Sequence, residues 1–242
     1  MISVWYGSII QLDKLEFDEQ IIFATPRREN MKNPQSNYEL QVDVGKKIFL
    51  EYNQETLIKK YQLEADELWI YICYLNTPCR ISRKHGHIEE YFDNTWKVCR
   101  EYATVMTIYD LLCFHQGENA PILLGQWCAV GTFSAIGGPS TGTFTNKYAL
   151  FFDGRLEALK EACKALGGLF QTQLAGADIT CKFNVTPFFP VLLQFWEGDD
   201  EFPPKLMLMW DRNTDKFLHF ETTFFLQGDL FARLKSYIER GK

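Results

Sequence analysis

The chain has no apolar run near the ~20 residues that cross a bilayer, and its best candidate, Pro190 to Trp196, is far shorter. It also lacks a basic segment at its start. Met1-Ile-Ser-Val-Trp-Tyr-Gly-Ser-Ile-Ile is followed by Asp13, so no signal peptide is expected and the cytoplasm is the expected location. No two cysteines form a CxxC pair: the seven (73, 79, 99, 113, 128, 163, 181) are odd in number and scattered. Reduced, mostly buried thiols are therefore expected, and no iron–sulfur cluster, since clusters are held by four thiolates with closely spaced pairs. Concentrated positive charge is missing as well. The net charge is −6, and the longest basic stretch, Arg80, Arg83 and Lys84, is offset by Glu89 and Glu90. That argues against nucleic acid and against an anionic membrane surface as partners.

What is present describes a folded protein. Of the 242 residues 46% are hydrophobic and 23% charged, enough apolar side chain for a real core. Twenty Phe, eleven Tyr and six Trp mean that rings fill much of it. With no repeat, linker or low-complexity tract, the expectation is one α+β domain over residues 1–242, with a mainly antiparallel or mixed sheet and helices packed on it.

Periodicity assigns the elements. Ile21-Ile-Phe23 reads as a strand and Asn33 to Asn37 as a loop. Glu39–Val44 and Lys47–Tyr52 alternate at period two around Gly45-Lys46 and predict a hairpin, making residues 1–95 strand-rich. Glu67 to Leu75 is a β-branched and aromatic run expected as a central strand, with Arg80 to Tyr91 returning beside it. Between Trp96 and His115 apolar residues recur three or four apart, as on one face of a helix. Gly125 to Val130 is a short strand candidate, and Gly131 to Thr145 a glycine-rich surface loop. Gly154 to Leu166 reads as a helix capped by Asp153 and stopped at Gly167-Gly168. Asp178 to Phe183 alternates like a strand. Val191–Trp196 and Leu206–Trp210 are expected to pair antiparallel inside a sheet, covered on one face by that helix. A helix over Asp229 to Glu239 closes the chain.

The last third carries a specific pattern. Phe189-Pro-Val-Leu-Leu-Gln-Phe-Trp-Glu-Gly-Asp-Asp-Glu-Phe-Pro-Pro204 is followed by Trp210-Asp211, Leu218-His-Phe-Glu221 and a closing helix. Over roughly residues 100–240 this resembles the family catalogued as domain of unknown function 3786, whose signature is the Trp-Glu-Gly-Asp-Asp-Glu-Phe-Pro stretch. Met209-Trp-Asp211 stands where the family usually has Leu-Phe-Asp. The resemblance implies a setting in anaerobic bacteria and archaea and no known activity.

Candidate chemistry centres on the signature. Asp178, Glu197, Asp199, Asp200, Glu201, Asp211 and Glu221 form an acidic set. Gathered carboxylates suit hard cations such as Ca²⁺ or Mg²⁺, or share acid and base roles; Gly198-Asp-Asp200 is also ordinary turn chemistry. His85-Gly-His87 offers two imidazoles to a zinc ion but no third ligand by spacing, so no metal site is assigned. The glycine-rich segment matches neither a P-loop nor a dinucleotide loop. Without an assembled catalytic motif, the expected function is a non-catalytic binding or accessory protein for a small molecule or protein partner, and the family resemblance implies a place in anaerobic metabolism. The alternative is a metal-assisted hydrolase using residues 197–201.

Overall fold

The structure, a computed structural model, describes residues 37–132, 141–172, 174 and 176–241. Ile21–Phe23, most of the Asn33–Asn37 loop and the centre of the glycine-rich segment lie outside the described residues. The hairpin expected at 39–52 is instead a helix, α1 (Asn37–Glu51), followed by α2 (Gln54–Tyr61). Gly45 explains the difference. It sits in mid-helix against the Tyr109 ring, where an added Cβ would lie 2.8 Å from Cδ2. Phe49, one turn on, is fully buried, and its ring centroid lies 6.2 Å from that of the same tyrosine. Close packing at this glycine overrides both its poor helix propensity and the local alternation. Within the described residues the stretch before residue 62 is therefore helical, not strand-rich. Asn53 caps α2, its side-chain oxygen accepting from Thr56 N at 3.0 Å.

Among the described residues two antiparallel sheets follow, each of five strands. The first runs in chain order: β1 (Glu64–Ala65), β2 (Trp69–Tyr74), β3 (Thr77–Ser82), β4 (Ile88–Phe92) and β5 (Thr95–Val98). Its two tight hairpins turn on Leu75-Asn76 and Asp93-Asn94, all four at positive φ, as type I′ turns require. Alternation decides its faces. Ile70, Ile72, Tyr74, Cys79 and Ile81 point inward and are buried, while Trp69, Tyr71, Arg80, Glu89, Tyr91 and Trp96 share the outer face. Trp96 thus belongs to a strand, and the helix expected from that point begins later, as α3 (Tyr102–Cys113).

The second sheet has the order β6-β10-β9-β8-β7, with β6 (Trp127–Cys128), β7 (Leu169–Phe170), β8 (Ile179–Thr186), β9 (Phe189–Trp196) and β10 (Lys205–Asp211). The expected pairing holds, Leu206 opposite Phe195 and Trp210 opposite Val191, and both strands are interior. Every residue of β9 except Trp196 is buried, so both faces are covered there. The helix expected to cover one face shares the task. α4 (Thr141–Phe152) packs on β10, and α5 (Leu156–Ala165) packs on β8. The part of the glycine-rich segment from Thr141 is therefore helix rather than loop. α5 ends as expected, with Gly167 at φ +74° and Gly168 N donating to Cys163 O. Its start is different: Arg155 is the N-cap, with no side-chain capping bond, and Asp153 points elsewhere.

α6 (Phe220–Arg240) begins nine residues before the expected helix and packs on α3, α4 and α5. The α+β fold is thus built on two sheets, joined where the Leu75 turn meets β8 through Leu75 N and Val185 O at 2.9 Å.

Candidate functional site

The signature loop joins β9 to β10, and its backbone is held by three carboxylates, Asp199 inside it and Asp178 and Asp153 outside it. Asp199 Oδ1 accepts from Glu201 N at 2.8 Å and Phe202 N at 2.7 Å, and Asp199 N donates to Phe202 O. Those two amides, Phe202's first, hold the Asp199 carboxyl below the usual carboxylate range. Asp178 Oδ2 accepts from Glu197 N at 2.8 Å, and Asp153 Oδ1 accepts from Gly198 N at 3.0 Å. That is why Asp153 does not cap α5. Gly198 is required by contact, since a Cβ there would come within 2.9 Å of Pro204 Cδ. Phe202, whose ring the residue pattern places in the core, is 66% exposed. The backbone bonds and the Gly198–Pro204 contact close the loop without it.

The other acids are spread out. Asp211 is 2% exposed, and its carboxylate accepts from Leu124 N, Gly125 N and Asn213 N at 3.1, 2.7 and 2.9 Å, fixing the segment that enters β6. Asp200 and Glu201 are exposed at the tip, and Glu221 is exposed in the first turn of α6. His85 and His87 flank Gly86, their ring centroids 6.2 Å apart, and His87 Nε2 lies 3.5 Å from Glu89 Oε1. Among the described residues, no group of three or more His, Cys, Asp or Glu side chains is placed to hold a metal ion.

One cavity borders the signature, an open groove of about 740 Å³ between the start of α5, the end of β9 and the end of α6. Leu156, Ala158, Tyr237 and Ile238 make its apolar wall, with Glu157, Glu161 and Glu197 at its charged margin beside Arg155. Glu157 and Glu161 also meet Lys160 and Lys164, each at 2.6 Å, in exposed pairs worth little. The loop bonds just described hold Glu197 at this groove.

A network of ionic side chains fills the seam between α3 and α6. Asp110 is buried and accepts from His219 N at 2.8 Å and Thr222 Oγ1 at 2.6 Å, with His219 Nδ1 2.6 Å away. It caps α6 from another helix. Burial lowers the His219 pKa, but the hydrogen bond and charge of Asp110, with the charge of Glu221, outweigh it and leave it above the ordinary value. A histidine among apolar neighbours is more often satisfied and partly buried than a general base, and His219 is of that kind. Farther along, Arg233 Nε donates to Asp229 Oδ1 at 2.9 Å, and its guanidinium reaches Thr104 Oγ1 at 2.9 Å and Glu90 Oε2 at 4.0 Å. Sequence reasoning missed both clusters. The available signals were a lone Asp110 inside the apolar run of α3 and the i, i+4 pair Asp229–Arg233.

Residues 53–233 match the family described as Domain of unknown function (DUF3786). The chain belongs to this family. The match begins well before residue 100, so α2 and the whole first sheet are part of the family's domain. No curated protein and no solved structure matches the chain. Among the described residues no helix is long and apolar enough to cross a membrane.

Proposed function

We propose that the protein is a non-catalytic binding or accessory protein of the cytoplasm, acting in anaerobic metabolism, and that the groove beside the signature loop is its contact surface. The use of the signature carboxylates carries this reading. Asp178, Asp199 and Asp211 accept backbone N–H groups and so set shape, while Glu197 stands at the groove. An apolar wall with carboxylates at its margin suits a segment of a partner protein whose apolar side chains are flanked by lysine or arginine. Native mass spectrometry of protein purified anaerobically from its own host tests this. A bound partner should appear with the wild type and with Asp200→Asn, and be lost from Ala158→Trp, which fills the groove. A partner retained by Ala158→Trp, or a bound metal lost from Asp200→Asn, would refute it.

A further inference from the structure

A further buried charge is Lys60, at the last turn of α2. It is 7% exposed, and its ammonium group donates to the His115 carbonyl at 2.6 Å and to Tyr52 Oη at 2.8 Å. It also lies 4.9 Å from the ring centroids of both Tyr52 and Tyr61. All of these partners are neutral. No carboxylate among the described residues lies within 4 Å of it, whereas the half-buried Arg233 of the α3–α6 seam has Asp229. Asp110, one turn before Cys113 on α3, is committed to His219 and Thr222. The nearby Cys113 thiol supplies no counter-charge either, since burial first, and then Asp110, push it up to about 12. An ammonium has three donors, and two of the three on Lys60 are used.

Tyr61, the next residue of α2 and the one whose ring lies 4.9 Å from the ammonium, carries a second unmet donor. Tyr61 is 5% exposed, and its hydroxyl makes no hydrogen bond. A buried ammonium without a counter-charge and a buried phenol without an acceptor each raise the free energy of the folded state. One negatively charged acceptor bonded to both groups would relieve both. We propose that Lys60 and Tyr61 form a binding site for a small anion, a halide or a carboxylate, whose acceptor atom takes the third hydrogen of the Lys60 ammonium and the Tyr61 hydroxyl. The site lies near the surface. Phe188, half-buried, stacks on Tyr61 with ring centroids 4.1 Å apart, and Tyr52 and His115 are half-buried too. A multiply charged anion has too few donors here, because Tyr52 Oη is already bound to His115 O at 2.9 Å.

The site is independent of the signature groove and is tested separately. Melting temperature is measured against chloride and against acetate, with total ionic strength held constant by a bulky sulfonate salt, for wild type, Tyr61→Phe and Lys60→Met. The wild type should gain stability along a saturating curve. Tyr61→Phe loses one hydrogen bond to the ion, so its half-saturating concentration should rise about tenfold. Without the small anion, Tyr61→Phe should melt no lower than wild type, because it removes a buried donor that has no acceptor. Lys60→Met should lose the response. Equal curves for wild type and Tyr61→Phe, or a linear drift with no saturation, would overturn the proposal. So would Tyr61→Phe melting below wild type by the same margin in every buffer, which is the result for a hydroxyl bound to water. If Lys60→Met fails to fold, the wild-type and Tyr61→Phe curves still decide.

Discussion

The signature loop and the α3–α6 seam use acidic residues in opposite ways. The loop crowds its carboxylates together in sequence, and the fold turns most of them to backbone amides or to water. The seam sets two acids far apart in sequence against basic partners, Asp110 buried beside His219 and Asp229 half-buried beside Arg233. Density of acids along a chain therefore marks a turn, whereas a single acid in an apolar helix marks a buried network. The cost of removing an acid should follow burial and not motif.

The largest expected effect lies in the seam. Asp110→Ala strands the His219 and Thr222 donors and should cost about 3–5 kcal/mol, as breaking one side of a buried pair does; urea unfolding measures it. A loss below 1 kcal/mol would erase the contrast between the two regions. Asp211→Ala comes next, at about 3 kcal/mol, because three backbone amides lose a charged acceptor. Asp211 is a test within the acidic set itself, since Asp200→Asn, at the exposed tip, should leave the melting temperature unchanged.

The seam also predicts a pH dependence. The His219 pKa is raised on folding, so its contribution is fully present below the unfolded value of about 6.5 and fades as pH rises through the folded one. Asp110→Asn should flatten the wild-type stability profile above pH 6.5. An unchanged profile would remove His219 as its source.

The smallest effects belong to the loop. Phe202→Ala should change stability by no more than about 0.5 kcal/mol, the range for an exposed side chain; a loss of several kcal/mol would mean that the ring is an anchor after all. If the loop acids are shape-setting, millimolar Ca²⁺ or Mg²⁺ should not raise the melting temperature. A rise abolished by the Asp199→Asn, Asp200→Asn double substitution would restore the metal-assisted reading.

What the residue pattern could and could not disclose follows the same division. The β9–β10 pairing was legible because both strands are apolar at successive positions. The stop of α5 was legible because two glycines follow it. Local chemistry is enough for these. The hairpin expected at 39–52 failed because the apolar positions that alternate there, Leu40 and Val44, are exposed on a helix. Only the Tyr109 ring, distant in sequence, explains Gly45. Phe202 was misplaced because a ring beside two prolines looks like an anchor when the backbone bonds of Asp199 are unseen. The Asp110–His219 contact spans 109 positions, and no local rule connects them. The groove side of Glu197 was likewise invisible, since α5 and α6 contribute most of the wall.

The Leu75–Asn76 turn has a consequence for how the protein opens. Amides at the tip of a hairpin ordinarily exchange with solvent by local fraying. Leu75 is fully buried, and its amide is bonded to Val185 of the other sheet; the neighbouring Asn76 side chain donates to Ala165 O at 3.0 Å. Local fraying cannot release that proton without parting the two sheets. The Leu75 amide should accordingly exchange at the rate of the central β9 amides, and the hairpin tip becomes a reporter of whether the two sheets separate in one step or two.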